Sequence, residues 1–299
     1  MATTSQFSFK KQTKSLSLPC RSHPTTFQIE ELLDQMKTTA SMSFKEGNCY
    51  SLLMLTRLYK CMDSLMNSST TQVLMSNRQN KKWVDELVDE SANFLDICGI
   101  IREMLSEFKD QSSDLQCALR RRKGDIMFIE KSITKYNCFR KKMKKDVKRL
   151  IARLKHNMIT NGGSVYIDQD NLHLAAVMKA IIGVSEMNVV VFESLLMFLC
   201  GPVSRPNKWS IVVSKLMKKG MVACEGQQEQ GVVNEFEKTD VALQMLCKNE
   251  KSSELGNFQI AQCRLERLGV QIENMESGLE CAFRYLVRNR VTLLNIISH

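Results

Sequence analysis

Leu265, Leu268, Ile272, Met275, Leu279, Phe283 and Leu286 follow one another at steps of three and four residues. In a helix that spacing collects the apolar side chains into one stripe, whereas in a strand it would scatter them over both faces. The pattern therefore demands a helix of about 258–297 with a partner to cover the stripe. It returns at Leu115, Leu119, Arg122, Ile126, Ile129, Ile133 and Tyr136. After a small slip it continues through Phe139, Met143, Val147, Leu150 and Leu154. A third instance runs through Trp83, Leu87, Phe94, Cys98, Ile101, Leu105 and Phe108, weakened only at Glu90 and Ser91. Such seams have heptad character and pack against other helices.

The punctuation agrees. There are 4 prolines and 13 glycines in 299 residues, too few for a turn-rich sheet protein, and no Asn-Gly hairpin signal lies between alternating runs. The expected fold class is all-α: a long antiparallel helical bundle with coiled-coil-like seams, built from five to seven helices. Residues 1–23 read as a flexible basic leader and 24–299 as a single helical-bundle domain. Thr25 or Thr26 can cap a first helix. A second spans about 49–66, and a short helical turn follows "NSSTTQ". "DQSS" at 110–113 reads as a break, and "NGGS" at 161–164 as the end of a long helix with a small bend at Gly124. Residues 170–200 form a helix apolar on most sides, crossed by a strip of Lys179, Glu186 and Glu193 at seven-residue spacing. That strip is a solvent-facing line or, alternatively, a polar contact inside the bundle. A further helix is expected at 207–222. Residues 223–257 read as irregular, with one helical candidate around 236–246.

Charge is the second constraint. The chain carries net +10, and one segment holds the entire excess. Residues 115–160 have 15 Lys/Arg against three acids, +12, while the remainder has 27 bases against 29 acids, −2. Within that segment Arg140, Lys141, Lys142, Lys144, Lys145, Lys148 and Arg149 are the candidate anion or partner contacts. Residues 83–110 carry eight acids against two bases. If the chain folds back at 110–113, paired residue numbers should add to about 223, and the bases from Lys141 onward should overhang the acidic helix unneutralised. The basic face is then a solvated side of a packed helix, a contact for protein or acidic lipid, or a nucleic-acid surface. No interleaved aromatics, zinc-finger spacing or helix-turn-helix supports the last. "RRRKGD" at 120–125 is a solvated girdle or a nuclear-import patch.

Eleven widely spaced cysteines without a C-x-x-C suit reduced, buried thiols in an intracellular protein. Four isolated histidines give no metal-ligand spacing. No P-loop, G-x-G-x-x-G, G-x-S-x-G, H-E-x-x-H or EF-hand loop occurs, so no catalytic, cofactor-binding or metal-binding residues are expected. The eighteen methionines read as core filler or an adaptable partner surface.

Five blocks together resemble the plant-specific BYPASS-related family. They are "SLSLPCRSHPTT-x-x-IEE", "KWVDELVDESANFLDICG", "DLQCALRRRKGD", "CFRKKMKKDVKRL" and "GLECAFRYLVRNRVTLLNIISH". The resemblance runs from about Leu16 to His299 and is weakest at 220–257. It implies an all-helical protein linked to root and shoot development, with no enzymatic activity, cofactor or small-molecule substrate, and no functional residues to transfer. Some family members are labelled chloroplast proteins. A transit peptide ending before "SLPCRSHP" would be only about fifteen residues, short for such a segment, so cytoplasm or nucleus is expected and no transmembrane span. The leading expectation is a non-enzymatic interaction protein with a protein partner. A peripheral protein using the 140–155 face on anionic lipid is the alternative, followed by a helical enzyme with an unrecognised pocket.

Overall fold

The computed structural model describes residues 24–40, 47–121, 126–161, 172–201, 234–248 and 254–298. Among them are eight α-helices and no strand: α1 (Pro24–Ala40), α2 (Gly47–Met66), α3 (Ser69–Met75), α4 (Lys81–Arg120), α5 (Ile126–Asn161), α6 (Leu172–Cys200), α7 (Glu235–Lys248) and α8 (Glu254–Ser298). One 3-10 turn, Arg78–Asn80, precedes α4. The all-α expectation holds, with one helix more than the upper count. The leader and the helix expected at 207–222 lie outside the described residues.

Local chemistry explains several boundaries. Pro24 opens α1, where its missing N–H is no loss. Thr25 and Thr26 therefore sit inside the first turn, both buried, and not before it. Ser68 caps α3 by accepting from the Thr71 N–H. Asn234 precedes α7 and accepts from the Phe236 N–H. Its own amide donates to Phe198 O, tying the start of α7 to the end of α6.

Six long helices close a ring in the order α1, α2, α8, α4, α5, α6 and back to α1. Directions follow from the pairs. Leu52 meets Gly278 and Asp63 meets Arg288, so α2 and α8 run parallel. Glu30 pairs with Lys179 and Leu33 faces Gly183, so α1 and α6 are parallel as well. The α1–α2, α4–α5, α5–α6 and α4–α8 neighbours are antiparallel. One continuous core takes in the expected stripes: Leu265, Leu268, Ile272, Met275, Leu279 and Leu286 are buried, as are Ile133, Tyr136, Phe139, Met143, Val147, Leu150 and Leu154. Ten methionines, among them Met54, Met66 and Met143, are buried, which favours their reading as core filler.

The break expected at 110–113 is absent: α4 runs unbroken from Lys81 to Arg120. Ser112 is buried at a seam position between Phe108 and Leu115. Three poor helix formers, Asp110, Ser112 and Ser113, weaken a helix by up to about 0.7 kcal/mol each. Continuing the helix buries Leu115 and Leu119, worth about 1.5–3 kcal/mol apiece, so packing wins. The reversal falls instead between Arg121 and Ile126, where a bend alone was expected.

α6 is the one described helix long and apolar enough to cross a membrane by length and composition, and 56% of its apolar window is buried inside the bundle. That burial marks a core helix. Its polar strip faces outward between α1 and α5: Lys179 pairs with Glu30 on α1 at 2.9 Å, Glu193 with Lys155 on α5 at 3.0 Å, and Glu186 is exposed.

Candidate functional site

The shifted turn resets every charge on α5. Lys135 reaches Asp114 at 2.8 Å, Lys142 reaches Glu107 at 3.2 Å, and Arg153 pairs with Asp96. In each pair the two residue numbers add to 249, against the expected 223. The bases from Lys141 onward therefore do not overhang the acidic helix; they lie beside it, and α4 neutralises part of the row.

The seven candidate contacts separate into three groups. Arg140 is no surface residue, being 3% exposed. It lies one position after Phe139 on the stripe, so its chain turns inward, and its guanidinium is held from three sides. Nη1 donates to Leu199 O at 2.9 Å, one of the last carbonyls of α6. The group stacks 4.0 Å above the Phe236 ring of α7. Nε stands 3.5 Å from Asp240 Oδ1, an ionic contact without hydrogen-bond alignment, and Nη2 has no acceptor among the described residues. Arg140 thus pins α6 and α7 to α5. The surroundings of Gly201 are equally close: its φ is +74°, a left-handed conformation that glycine tolerates, and an added Cβ would stand 3.9 Å from Arg140 Nη2.

The second group is paired: Lys142 with Glu107, Lys144 with Asp240 at 3.2 Å, and Arg149 with Asp146 at 3.0 Å. Arg149 remains largely exposed, and pairs of this kind contribute at most about 1 kcal/mol. The third group is Lys141, Lys145 and Lys148. They are exposed, none meets a carboxylate among the described residues, and their spacing of four and three sets them on one face over about 10 Å. Cys138 and Thr134, also exposed, continue the same face.

Asp240 lies on the helical candidate expected at 236–246, which the structure shows as α7, but no local pattern marked it as a partner of α5. Only the apolar spacing of Phe236 and Leu243, both buried, marks α7 there. Asp240 accepts from Tyr136 Oη at 3.2 Å and from Lys144. Burial pushes the Tyr136 hydroxyl far above its ordinary range, and the Asp240 charge adds to this, so it stays a donor. At the start of α7, burial alone would raise Glu235, but Lys238 at 2.7 Å and Arg264 at 3.4 Å outweigh it and hold its carboxyl low. The helix is therefore docked by charges at both ends of its first two turns.

A different polar cluster lies where α2, α4, α6 and α8 meet. Tyr59 Oη donates to Asn188 Oδ1 at 2.6 Å, Ser185 donates to Glu90, and the buried amide of Asn289 has no hydrogen-bond partner among the described residues. The cavity they line measures about 40 Å³. That is room for one or two waters, far below the hundreds of Å³ of a substrate pocket.

The described cysteines correct another expectation. All nine are free thiols, yet only Cys98 and Cys200 are buried; Cys49, Cys117, Cys138, Cys247, Cys263 and Cys281 are exposed. Cys117, Cys138, Cys263 and Cys281 lie on the outer faces of their helices, opposite the buried stripes. No group of three or more His, Cys, Asp or Glu placed to hold a metal occurs among the described residues.

A closed ring of long helices, an internally cross-braced basic helix and a cavity of water size define a helical-bundle protein without a catalytic constellation among its described residues. The family profile described as Protein BPS1 matches residues 51–296, and the chain belongs to this BPS1 (BYPASS1) family. Membership supports a plant developmental protein, in a family not known for enzymes. The "SLSLPCRSHPTT" block lies ahead of the matched range. No curated protein and no solved structure matches the chain.

Proposed function

We propose that the protein is a non-enzymatic helical interaction protein acting in root and shoot development, whose contact surface is the outer face of α5. The observation that carries this is the row Lys141, Lys145 and Lys148, which meets no acid partner among the described residues while the bases around it are paired. A rim of like charge speeds encounter with an acidic partner and selects against basic ones. The partner is accordingly a protein with an acidic face. Exposed thiols without bridges suit a reducing compartment, cytoplasm or nucleus.

A bilayer is the second reading, and magnitude decides against it. Three lysines near an anionic surface are worth about 3 kcal/mol together, and stable anchoring takes a second signal. Beside the lysines the face offers Thr134, Cys138 and Ala152, and its one exposed large apolar side chain among the described residues, Met127, lies about 20 Å before Lys141, too far to act with the row as a single anchor. Nor does it present an aromatic ring on which a base could stack.

The test replaces Lys141, Lys145 and Lys148 by Gln. Phe139, Met143, Val147 and Leu150 keep the packed stripe and Gln is nearly as good a helix former as Lys, so the circular dichroism spectrum should be unchanged. Quantitative affinity capture from plant tissue should lose an acidic protein that the wild type retains at low salt and releases at high salt. Identical captured sets would remove the α5 face from the reading. Wild-type binding to anionic vesicles that the variant lacks would replace the protein partner by a membrane.

A further inference from the structure

Beside Arg140 the surface opens into a pocket of about 280 Å³ between α5 and α7, lined by Asn137, Arg140, Lys141, Lys144, Asp240 and Gln244. The α5 residues follow the i, i+3, i+4, i+7 pattern of one helix face, and Asp240 and Gln244 are one turn apart on α7. Every lining residue is polar, and three cations stand against one anion.

That anion is already engaged. Oδ1 of Asp240 accepts from Tyr136 and faces Arg140 Nε; Oδ2 accepts from Lys144. Its side chain is largely buried, 17% exposed, whereas Lys141, Lys144 and Gln244 reach the open side of the pocket. Lys141 meets no carboxylate among the described residues, Lys144 keeps two ammonium protons, and Asn137 and Gln244 carry uncommitted amide groups. The buried Arg140 adds a full positive charge at the floor, where the low dielectric strengthens its field. A concave site with net charge +2, surplus N–H donors and no spare acceptor charge selects an anion with several oxygens.

We infer that this pocket is a binding site for a phosphate-class dianion, with Lys141, Lys144 and the Asn137 and Gln244 amides as donors and Arg140 as the charge behind them. Charge-assisted hydrogen bonds from Lys and amide N–H groups suit tetrahedral phosphate oxygens arriving from several directions. The space of about 280 Å³ is larger than a phosphate group and leaves room for part of what carries it. The site does not rest on the acidic partner proposed above, although Lys141 belongs to both. Lys145 and Lys148 lie outside it.

The experiment is isothermal titration of the full chain with inorganic phosphate at fixed ionic strength, together with sedimentation on phosphatidylcholine vesicles with and without phosphatidate. Gln244→Glu places a carboxylate in the pocket from an exposed position, so folding is unaffected, and phosphate affinity should fall at least about tenfold, the loss of one charge-assisted hydrogen bond. Lys141→Gln should weaken binding similarly, and Lys145→Gln/Lys148→Gln should leave it unchanged. Binding of inorganic phosphate alone assigns the ligand to solution. Additional phosphatidate binding that Gln244→Glu abolishes assigns it to a lipid headgroup. Absence of phosphate and phosphatidate binding in the wild type overturns the site. So does binding that Lys145→Gln/Lys148→Gln removes and Gln244→Glu does not, which is diffuse surface charge.

Discussion

Replacing Arg140 by Met separates two views of one residue. As a member of an exposed basic row it would contribute nothing measurable to stability. As the buried pin of α5, α6 and α7 it contributes a bond to Leu199 O at 2.9 Å, stacking on Phe236 at 4.0 Å and an ionic contact with Asp240 at 3.5 Å. The hydrogen bond to a charged donor is worth about 1.5–3 kcal/mol, and the desolvated cation–π contact about 2. Relief of the Arg140 desolvation penalty opposes both. Removing one member of a buried pair usually costs about 3–5 kcal/mol, because the other charge is orphaned. Here Asp240 keeps Lys144 and Tyr136, so the low end applies, about 3 kcal/mol. With a urea slope of about 3 kcal/mol/M the unfolding midpoint should drop by about 1 M. Lys145→Gln, on the exposed row, should stay within about 0.5 kcal/mol of wild type. Arg140→Lys should fall between the two, since a point charge cannot reproduce the planar stacking and the directed bond together. Equal midpoints for Arg140→Met and Lys145→Gln would refute the buried role.

Gly99 and Gly278 should respond to alanine in opposite directions. Nothing lies within 4 Å of a Cβ at Gly99 in mid-α4, so Gly99→Ala should raise the melting temperature through about 0.5–1 kcal/mol of helix propensity. A Cβ at Gly278 would stand 3.1 Å from Leu52 Cβ, which is fixed to the α2 backbone, so Gly278→Ala should destabilise by about 1–3 kcal/mol in the same thermal melt. Alkylation of the native protein at pH 8, read by mass spectrometry, should modify Cys117, Cys138, Cys263 and Cys281 first. Cys98, buried and pushed up to about 12 chiefly by its burial, should react only on unfolding; early labelling there would contradict the packing of α4 against α8.

The stripes of α2, α4, α5 and α8 could be read without a structure because they are local. Leu265 to Leu286 and Phe139 to Leu154 state a period, and only a helix converts that period into a face that can be buried. The strip on α6 was legible for the same reason, with its charged residues seven apart. Where the chain turns was a different matter. "DQSS" has the composition of a break, yet Ser112 could be buried once Leu115 and Leu119 found partners on other helices, and the reversal moved to 121–126. The α4–α5 ion pairs moved with it, from a sum near 223 to 249, because a hairpin's register is set by its turn. The fate of the basic residues followed: Arg140, Lys144 and Lys145 look alike in sequence, but α7 supplies Asp240 and Phe236 to the first two from about a hundred residues away and nothing to the third. Periodicity and the excess of positive charge belonged to the sequence, since each is a sum over neighbours. Which charge is buried, which is paired and which is left to meet a partner was decided by tertiary structure, because burial and ion pairing depend on distances between helices that no local pattern encodes.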